Sequence, residues 1–74
     1  MIEELQRVAL TMDPPEHRLR SGDIGTVVMV HDHGRGFEVE FVALSGETLA
    51  VATVGAAMVR RLGPREIANA RAVA

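Results

Sequence analysis

The chain has 74 residues, a formal net charge of −2 at pH 7, 47% hydrophobic residues and no cysteine. A chain this short forms one domain with a thin core, which buries roughly 60–65% of the surface exposed by the unfolded chain, and no disulfide can compensate. The first ten residues start acidic, and no apolar run approaches the roughly 20 residues of a membrane-spanning helix, so we expect a soluble cytoplasmic protein.

The charges are unevenly distributed along the chain. Residues 21–58 carry one arginine against five acidic residues, whereas residues 59–74 carry four arginines against one glutamate. A nucleic-acid-binding surface must be basic to neutralise phosphate, so the acidic middle disfavours a nucleic-acid partner. The basic end could instead contact an acidic partner, a nucleic acid or the domain's own acidic strands.

The first predicted strand is the apolar run at residues 7–11, in which Val8 and Leu10 share one face. Pro14 and Pro15 follow, and because proline cannot donate to a β ladder, residues 12–23 are predicted to form one long ordered loop. Residues 24–32 are rich in β-branched side chains, which favours a second strand.

The clearest periodicity lies at residues 37–42, FEVEFV, where apolar side chains alternate with glutamates. This period of two predicts a half-buried strand, antiparallel to the preceding one and joined to it by the glycine turn at residues 33–36. After a tight turn in which Gly46 is expected to take a positive φ, residues 48–54 predict another strand, with Leu49 and Val51 facing inward.

The end of the chain predicts smaller elements. Residues 55–58 indicate a single helical turn, and residues 59–62 a last short strand before Gly63 and Pro64. Alanine-rich composition favours a helix after Pro64, but a helix this short is marginal unless Ile67 and Val73 dock on the body. We therefore expect a domain at residues 1–63, followed by a short C-terminal helix or flexible tail at residues 64–74.

This order of elements is typical of an all-β, SH3-like small antiparallel barrel of about five strands. Closing the sheet into a barrel protects its edges, which suits so small a domain. The residues predicted to form its core are Val8, Leu10, Leu19, Val27, Val39, Phe41, Leu49, Val51, Val59 and Leu62.

Several short motifs follow one another along most of the chain: Leu10-Thr11, Asp13, Pro15-Glu16-His17, Leu19, Gly22-Asp23, Gly25-Thr26-Val27-Val28, Val39-Glu40-Phe41, Gly46-Glu47-Thr48 and Thr53. In this combination the chain resembles an uncharacterised family of small, mostly bacterial domains of unknown function. The resemblance implies an SH3-like barrel and brings no catalytic residues. Some members of that family sit beside genes of toxin-like systems.

Three groups of side chains could carry chemistry, and each has a simpler structural interpretation. His31 and His33 would share one face of a continuing strand, but a metal site needs three or four ligands, so we interpret this segment as a hairpin tip. Glu16 beside His17 could form an acid–base pair, but no nucleophile joins it; we expect Asp13 or Glu16 to cap loop amides and His17 to pack against a strand.

Glu38 and Glu40 form the third group. They lie on one strand face at the spacing of a glycosidase pair, but the chain is too small to build a sugar cleft, so we interpret them as an acidic face that is solvated or meets a basic partner.

The sequence therefore predicts a non-enzymatic protein-interaction module without metal or cofactor, binding through the loop at residues 12–23 and an acidic hairpin face. The candidate partner-binding residues are Asp13, Glu16, His17, Arg18, Arg20, Asp32, Glu38 and Glu40. The partner would be another protein, encoded nearby in one version of the hypothesis, or a second copy of the chain. The alternatives are an immunity or antitoxin-type protein that neutralises a toxin, and a nucleic-acid-binding small barrel.

Overall fold

The computed structural model describes residues 1–73 and contains five antiparallel strands in one sheet. The strands are β1 (Arg7–Leu10), β2 (Ile24–His31), β3 (Gly36–Val42), β4 (Thr48–Gly55) and β5 (Val59–Arg61). Two 3-10 turns, Asp32–Gly34 and Ala56–Met58, join β2 to β3 and β4 to β5. The predicted all-β class and the strand count are confirmed, and the architecture is consistent with a small SH3-like barrel.

The strands are ordered β4-β3-β2-β1-β5 across the sheet. The register shifts between Val27 and Met29 on β2, and again where Phe41 and Val42 of β3 face Ala50 and Thr48 of β4; irregularities of this kind help a sheet to curl. Between the described residues of β4 and β5 no ladder forms, so these strands remain edges and the expected closure of the barrel is incomplete.

The core lies on the concave side of the curled sheet and includes residues from all five strands. It contains most of the predicted residues and adds others; its buried members are Val8, Leu10, Leu19, Val27, Phe37, Val39, Phe41, Ala52, Val54 and Val59. Leu62, also predicted, is half-buried.

The prediction for the inward face of β4 was wrong. Leu49 and Val51 are 39% and 52% exposed, while the alternate residues Ala52 and Val54 are buried. The register explains this, because Val39 pairs with Ala52 and Phe37 with Val54, and directly opposed residues project from the same face of a sheet.

The segment after β5, here called the C-terminal tail (residues 62–73), contains no α-helix in its described residues. A turn at Pro64 and Arg65 is followed by irregular backbone, and Ile67 is 93% exposed. Of the two predicted alternatives, a short helix or a tail, residues 64–73 form no helix, as expected for a short segment whose Ile67 does not dock on the body. Ala74, the last residue of the predicted helix or tail, lies outside the described residues.

Candidate functional site

A groove opens where the end of the long loop meets the β3–β4 corner and the C-terminal tail. It encloses about 650 Å³. We call it the docking groove and define it by its body residues, along which residues 68–73 of the tail lie: Leu19, Asp23, Ile24, Phe41, Val42, Leu44, Glu47 and Leu49. Leu44 is fully exposed beside it, and Val42 and Leu49 are partly exposed, so the body wall presents apolar surface.

The end of the loop is held rigidly against β1. Gly22 adopts φ +91°, a conformation that favours glycine, and its amide donates to the Leu10 carbonyl at 2.8 Å. The Leu10 amide donates in turn to the Asp23 carbonyl at 3.0 Å. The expected role of Asp13 is confirmed, since its carboxylate accepts the Ser21 amide at 2.8 Å. The loop wall of the groove is therefore fixed by main-chain and capping hydrogen bonds.

Asp23 is the most heavily bonded acidic residue of this region. Its carboxylate accepts the Arg20 amide at 2.8 Å, as expected for a loop-capping aspartate. It also accepts two hydrogen bonds from Arg71, from Nε at 2.8 Å and from a terminal nitrogen at 2.5 Å. These bonds, the Arg71 contribution being the larger, hold the pKa of Asp23 below its usual value despite partial burial. Asp23 is therefore a preorganised anionic group at the edge of the groove.

Four of the predicted partner-binding residues come together beside Asp23. Asp13, His17, Arg18 and Arg20 line a second, smaller recess of about 410 Å³ that also includes Arg71. Glu16 lies nearby in sequence on the exposed surface of the loop. His17 is exposed too, so the expectation that it packs against a strand was wrong.

The other predicted residues lie elsewhere. Asp32 sits in the turn at the far end of β2, and the eight-residue strand that separates it from Asp23 spans about 23 Å at the rise of an extended strand. Glu38 and Glu40 are half-buried on the outer face of β3. Their carboxylates accept hydrogen bonds from the hydroxyls of Thr53 at 3.3 Å and Thr48 at 2.7 Å. The structure therefore separates the hairpin tip from the loop, and only Glu40, opposite Thr26, lies toward the groove end of the sheet.

The histidine pair of the hairpin does not share a strand face. β2 ends at His31, whose Nε2 lies 3.7 Å from a Glu38 carboxylate oxygen, and His33 adopts φ 56° in the exposed 3-10 turn. Across residues 1–73, no three His, Asp or Glu side chains are grouped as metal ligands. The geometry agrees with the interpretation of this segment as a hairpin tip.

The arginines of the basic end contact the chain itself. Arg60 donates to both carboxylate oxygens of Glu66, at 2.6 and 2.8 Å, and Arg61 donates to the Met1 carbonyl. The Arg60 bonds, with a further bond from the Gly63 amide, lower the pKa of Glu66 to about 2. Arg60 and Arg71 of this end therefore pair with acidic groups of the domain itself.

Sequence reasoning did not place Asp23 and Arg71 in a common site. The signal was present as the contrast between an acidic middle and a basic end, which allowed an internal contact. It did not specify which of several arginines pairs with which carboxylate, because 47 residues separate the two along the chain.

Comparison with known proteins gives one match. The model of a family described as "Domain of unknown function (DUF4926)" matches residues 4–61. No curated protein and no solved structure matches the chain. The family match covers the five strands and ends just before the C-terminal tail. In addition, none of the helical segments in residues 1–73 has the length and apolar character needed to cross a membrane.

Proposed function

Since this chain belongs to the DUF4926 family of domains of unknown function, we propose a function from its site: a non-enzymatic protein-interaction module that binds a partner protein in the docking groove. This keeps the predicted loop at residues 12–23 as one wall of the interface. It replaces the hairpin tip with the β3–β4 corner as the other wall, because the tip lies at the opposite end of β2.

The observation that carries the proposal is the composition of the groove. Leu44 is fully exposed and Val42 is 46% exposed on one wall, while the Asp23 carboxylate lies on the other. Apolar side chains that converge with a few oriented polar groups are typical of binding sites, since the apolar surface supplies affinity and the polar groups fix orientation.

The rigidity of the loop wall supports the same function. Because hydrogen bonds already order residues 20–23, a partner that binds there does not have to freeze that backbone. Preorganisation of this kind improves affinity by reducing the entropy lost on association.

Catalysis by the Glu16–His17 pair would need a nearby nucleophile such as the Ser21 hydroxyl, and these groups do not assemble into a hydrogen-bonded pair. The Ser21 hydroxyl lies 3.5 Å from the Leu10 carbonyl, and Glu16 and His17 are exposed on the loop. Nucleophilic catalysis requires a base within hydrogen-bonding reach of the nucleophile. This arrangement favours binding over catalysis.

The proposal is tested by site-specific photo-cross-linking in the cell that naturally makes the protein. A photoreactive residue replaces Leu44 beside the groove and, as a matched control, His33 at the exposed hairpin tip. We expect a protein adduct from position 44 and none from position 33. The captured protein is then purified and titrated against the unsubstituted chain and against Leu44→Asp, which should bind it more weakly.

The alternatives give different results in the same experiments. A toxin whose activity the chain blocks would specify an immunity role, and a second copy of the chain would specify homo-oligomerisation through the groove. A protein adduct only from position 33, or none from position 44, would contradict the proposal. Binding of DNA or RNA in a low-salt titration would favour the nucleic-acid alternative.

A further inference from the structure

The side chain of Arg71 occupies the Asp23 edge of the docking groove as a ligand side chain would. It comes from the C-terminal tail, which lies outside the residues matched by the family model. Arg71 meets both Asp23 carboxylate oxygens, and it donates a third hydrogen bond to the Arg18 carbonyl at 3.0 Å. The Asp23 side chain is only 16% exposed in this arrangement. Asp23 and the Arg18 carbonyl, here called the Asp23 pocket, thus surround one guanidinium group.

The Asp23 pocket is shaped for arginine in particular. Two parallel N–H groups of a planar guanidinium match the two oxygens of a carboxylate, whereas a lysine ammonium binds as a point charge without that fork. The carboxylate is oriented by the Arg20 amide at 2.8 Å, and that bond comes from the loop and not from the tail. The Asp23 carboxylate therefore has an orienting hydrogen bond besides those that it accepts from Arg71.

The tail that supplies this arginine is attached through side-chain contacts. Glu66 pairs with Arg60, and Arg71 pairs with Asp23. Residues 67–70, between these two pairs, are exposed. In the described chain no hydrogen bond between two main-chain groups joins residues 67–73 to the body. Ion pairs near the surface contribute little to stability because water and salt screen them, so such a segment is readily displaced.

We propose that the Asp23 pocket is the arginine-recognition subsite of the docking groove, and that the C-terminal tail is an intramolecular occupant displaced by an extended, arginine-bearing segment of the partner. This inference rests on the proposed function and gives the partner a chemistry. The tail then sets the affinity that a partner must exceed, because the partner competes for the Asp23 pocket with an occupant linked to the same chain.

The test uses the full chain and two synthetic peptides. One peptide carries the tail sequence of residues 67–73, IANARAV, and the other carries glutamine in place of its arginine. Binding is followed by NMR through the amide signals of Gly22 and Asp23. The Arg71→Gln chain should bind the arginine peptide at least about threefold more tightly than the unsubstituted chain does, because the internal competitor is weakened.

Three further measurements make the result specific. The glutamine peptide should bind the Arg71→Gln chain more weakly than the arginine peptide does. When Asp23→Asn is added to the Arg71→Gln chain, the two peptides should bind with equal affinity. Asparagine keeps a side-chain oxygen that can accept the Arg20 amide, so the loop conformation is retained. With the unsubstituted chain, the arginine peptide in excess should shift the Arg71 Nε–H signal toward that of free arginine, a readout that needs no variant.

Equal binding of the two peptides, or an Arg71 signal unmoved by the arginine peptide, would overturn the inference. The outcome is separable from that of the proposed function. A partner captured from position 44 together with equal binding of both peptides would leave the groove as a docking site and remove the arginine subsite. Preferential binding of the arginine peptide without a captured partner would keep the subsite and count against the proposed function.

Discussion

The barrel and the C-terminal tail of this protein are held in place by different forces. The barrel strands share ladders, and the core cluster contains ten buried side chains, four of which, Leu10, Val8, Val27 and Val39, are almost completely removed from water. The described tail is exposed along most of its length, and its contacts with the body include the Arg60–Glu66 and Arg71–Asp23 pairs and a hydrogen bond from Arg71 to the Arg18 carbonyl. Burial of apolar area is the stronger and less condition-dependent of the two contributions.

Apolar burial therefore maintains the fold, whereas the ion-paired tail is available for regulation. Changes in pH or salt act on carboxylates and arginines and leave hydrocarbon packing almost unchanged. We therefore expect the tail to leave the body under conditions that the barrel tolerates.

The largest effect is expected from a cavity in the barrel. Leu10→Ala removes a side chain that is 1% exposed, and it should lower the free energy of unfolding by roughly 3 kcal/mol through lost burial and an unfilled cavity. Leu44→Ala is the matched control, because this fully exposed leucine should cost less than about 0.5 kcal/mol. Urea unfolding measures both. Equal losses would show that the barrel is not the stabilising unit.

A smaller effect is expected where the sheet leaves no room for a side chain. A Cβ at position 25 would lie 2.5 Å from Val39 Cγ1 and 2.9 Å from the Glu40 carbonyl oxygen, so Gly25→Ala forces β2 and β3 apart. We expect a loss of about 2 kcal/mol, as for other overpacked sites. At Gly55 a Cβ meets nothing within 4 Å, so Gly55→Ala should be neutral in the same urea unfolding experiment.

The tail should respond to pH through Asp23. Its pKa in the folded protein is held below the ordinary value of 3.8, above all by the Arg71 hydrogen bonds. A carboxylate with a lowered pKa contributes stability that is complete above its unfolded pKa and is lost as pH falls through the folded value. The tail should thus stay fully attached above the ordinary pKa of 3.8 and detach as pH falls through the lower pKa of the folded protein, which the Arg71 Nε–H signal would report in an NMR titration.

A matched variant checks that assignment. In Arg71→Gln the Asp23 carboxyl should titrate closer to its ordinary pKa, while the change in unfolding free energy stays smaller than for either barrel substitution. A tail that remains attached after protonation of Asp23 would contradict the assigned contact.

The most local effect is expected at Glu66. The two Arg60 hydrogen bonds and the Gly63 amide lower its pKa to about 2, so the Arg60 pair should be intact above pH 4.5 and break as pH falls toward 2. In Arg60→Gln the Glu66 pKa should rise toward 4.5 in an NMR titration. Arg65→Gln is the control, and a similar rise there would mean that net charge, and not the Arg60 contact, sets this pKa.

Hydrophobic alternation predicted the buried face of β3 but not that of β4. Alternation at residues 37–42 predicted the correct inward face of β3, because three large apolar side chains alternate with charged ones. On β4 both faces are apolar, and the larger residues Leu49 and Val51 were assigned inward. The register places Ala52 opposite Val39 and Val54 opposite Phe37, so these two residues, and not Leu49 and Val51, lie in the core.

The candidate site was predicted in part. The long loop is one of its walls, and Asp13 caps that loop as expected. The loop precedes β2 in the sequence and the hairpin turn follows it, and the prediction assigned both to one binding surface. An eight-residue strand separates its two ends by most of the width of so small a domain, which the sequence pattern does not express.

For this protein, composition, turn residues and hydrophobic alternation determined the all-β class, the five strands and most of the core, since these depend on local backbone preferences and on which side chains avoid water. The tertiary structure decided the inward face of β4, the absence of a C-terminal helix and the meeting of Asp23 with Arg71. Each of these depends on which surfaces lie opposite one another after the sheet has curled, and that geometry is not encoded within any short segment.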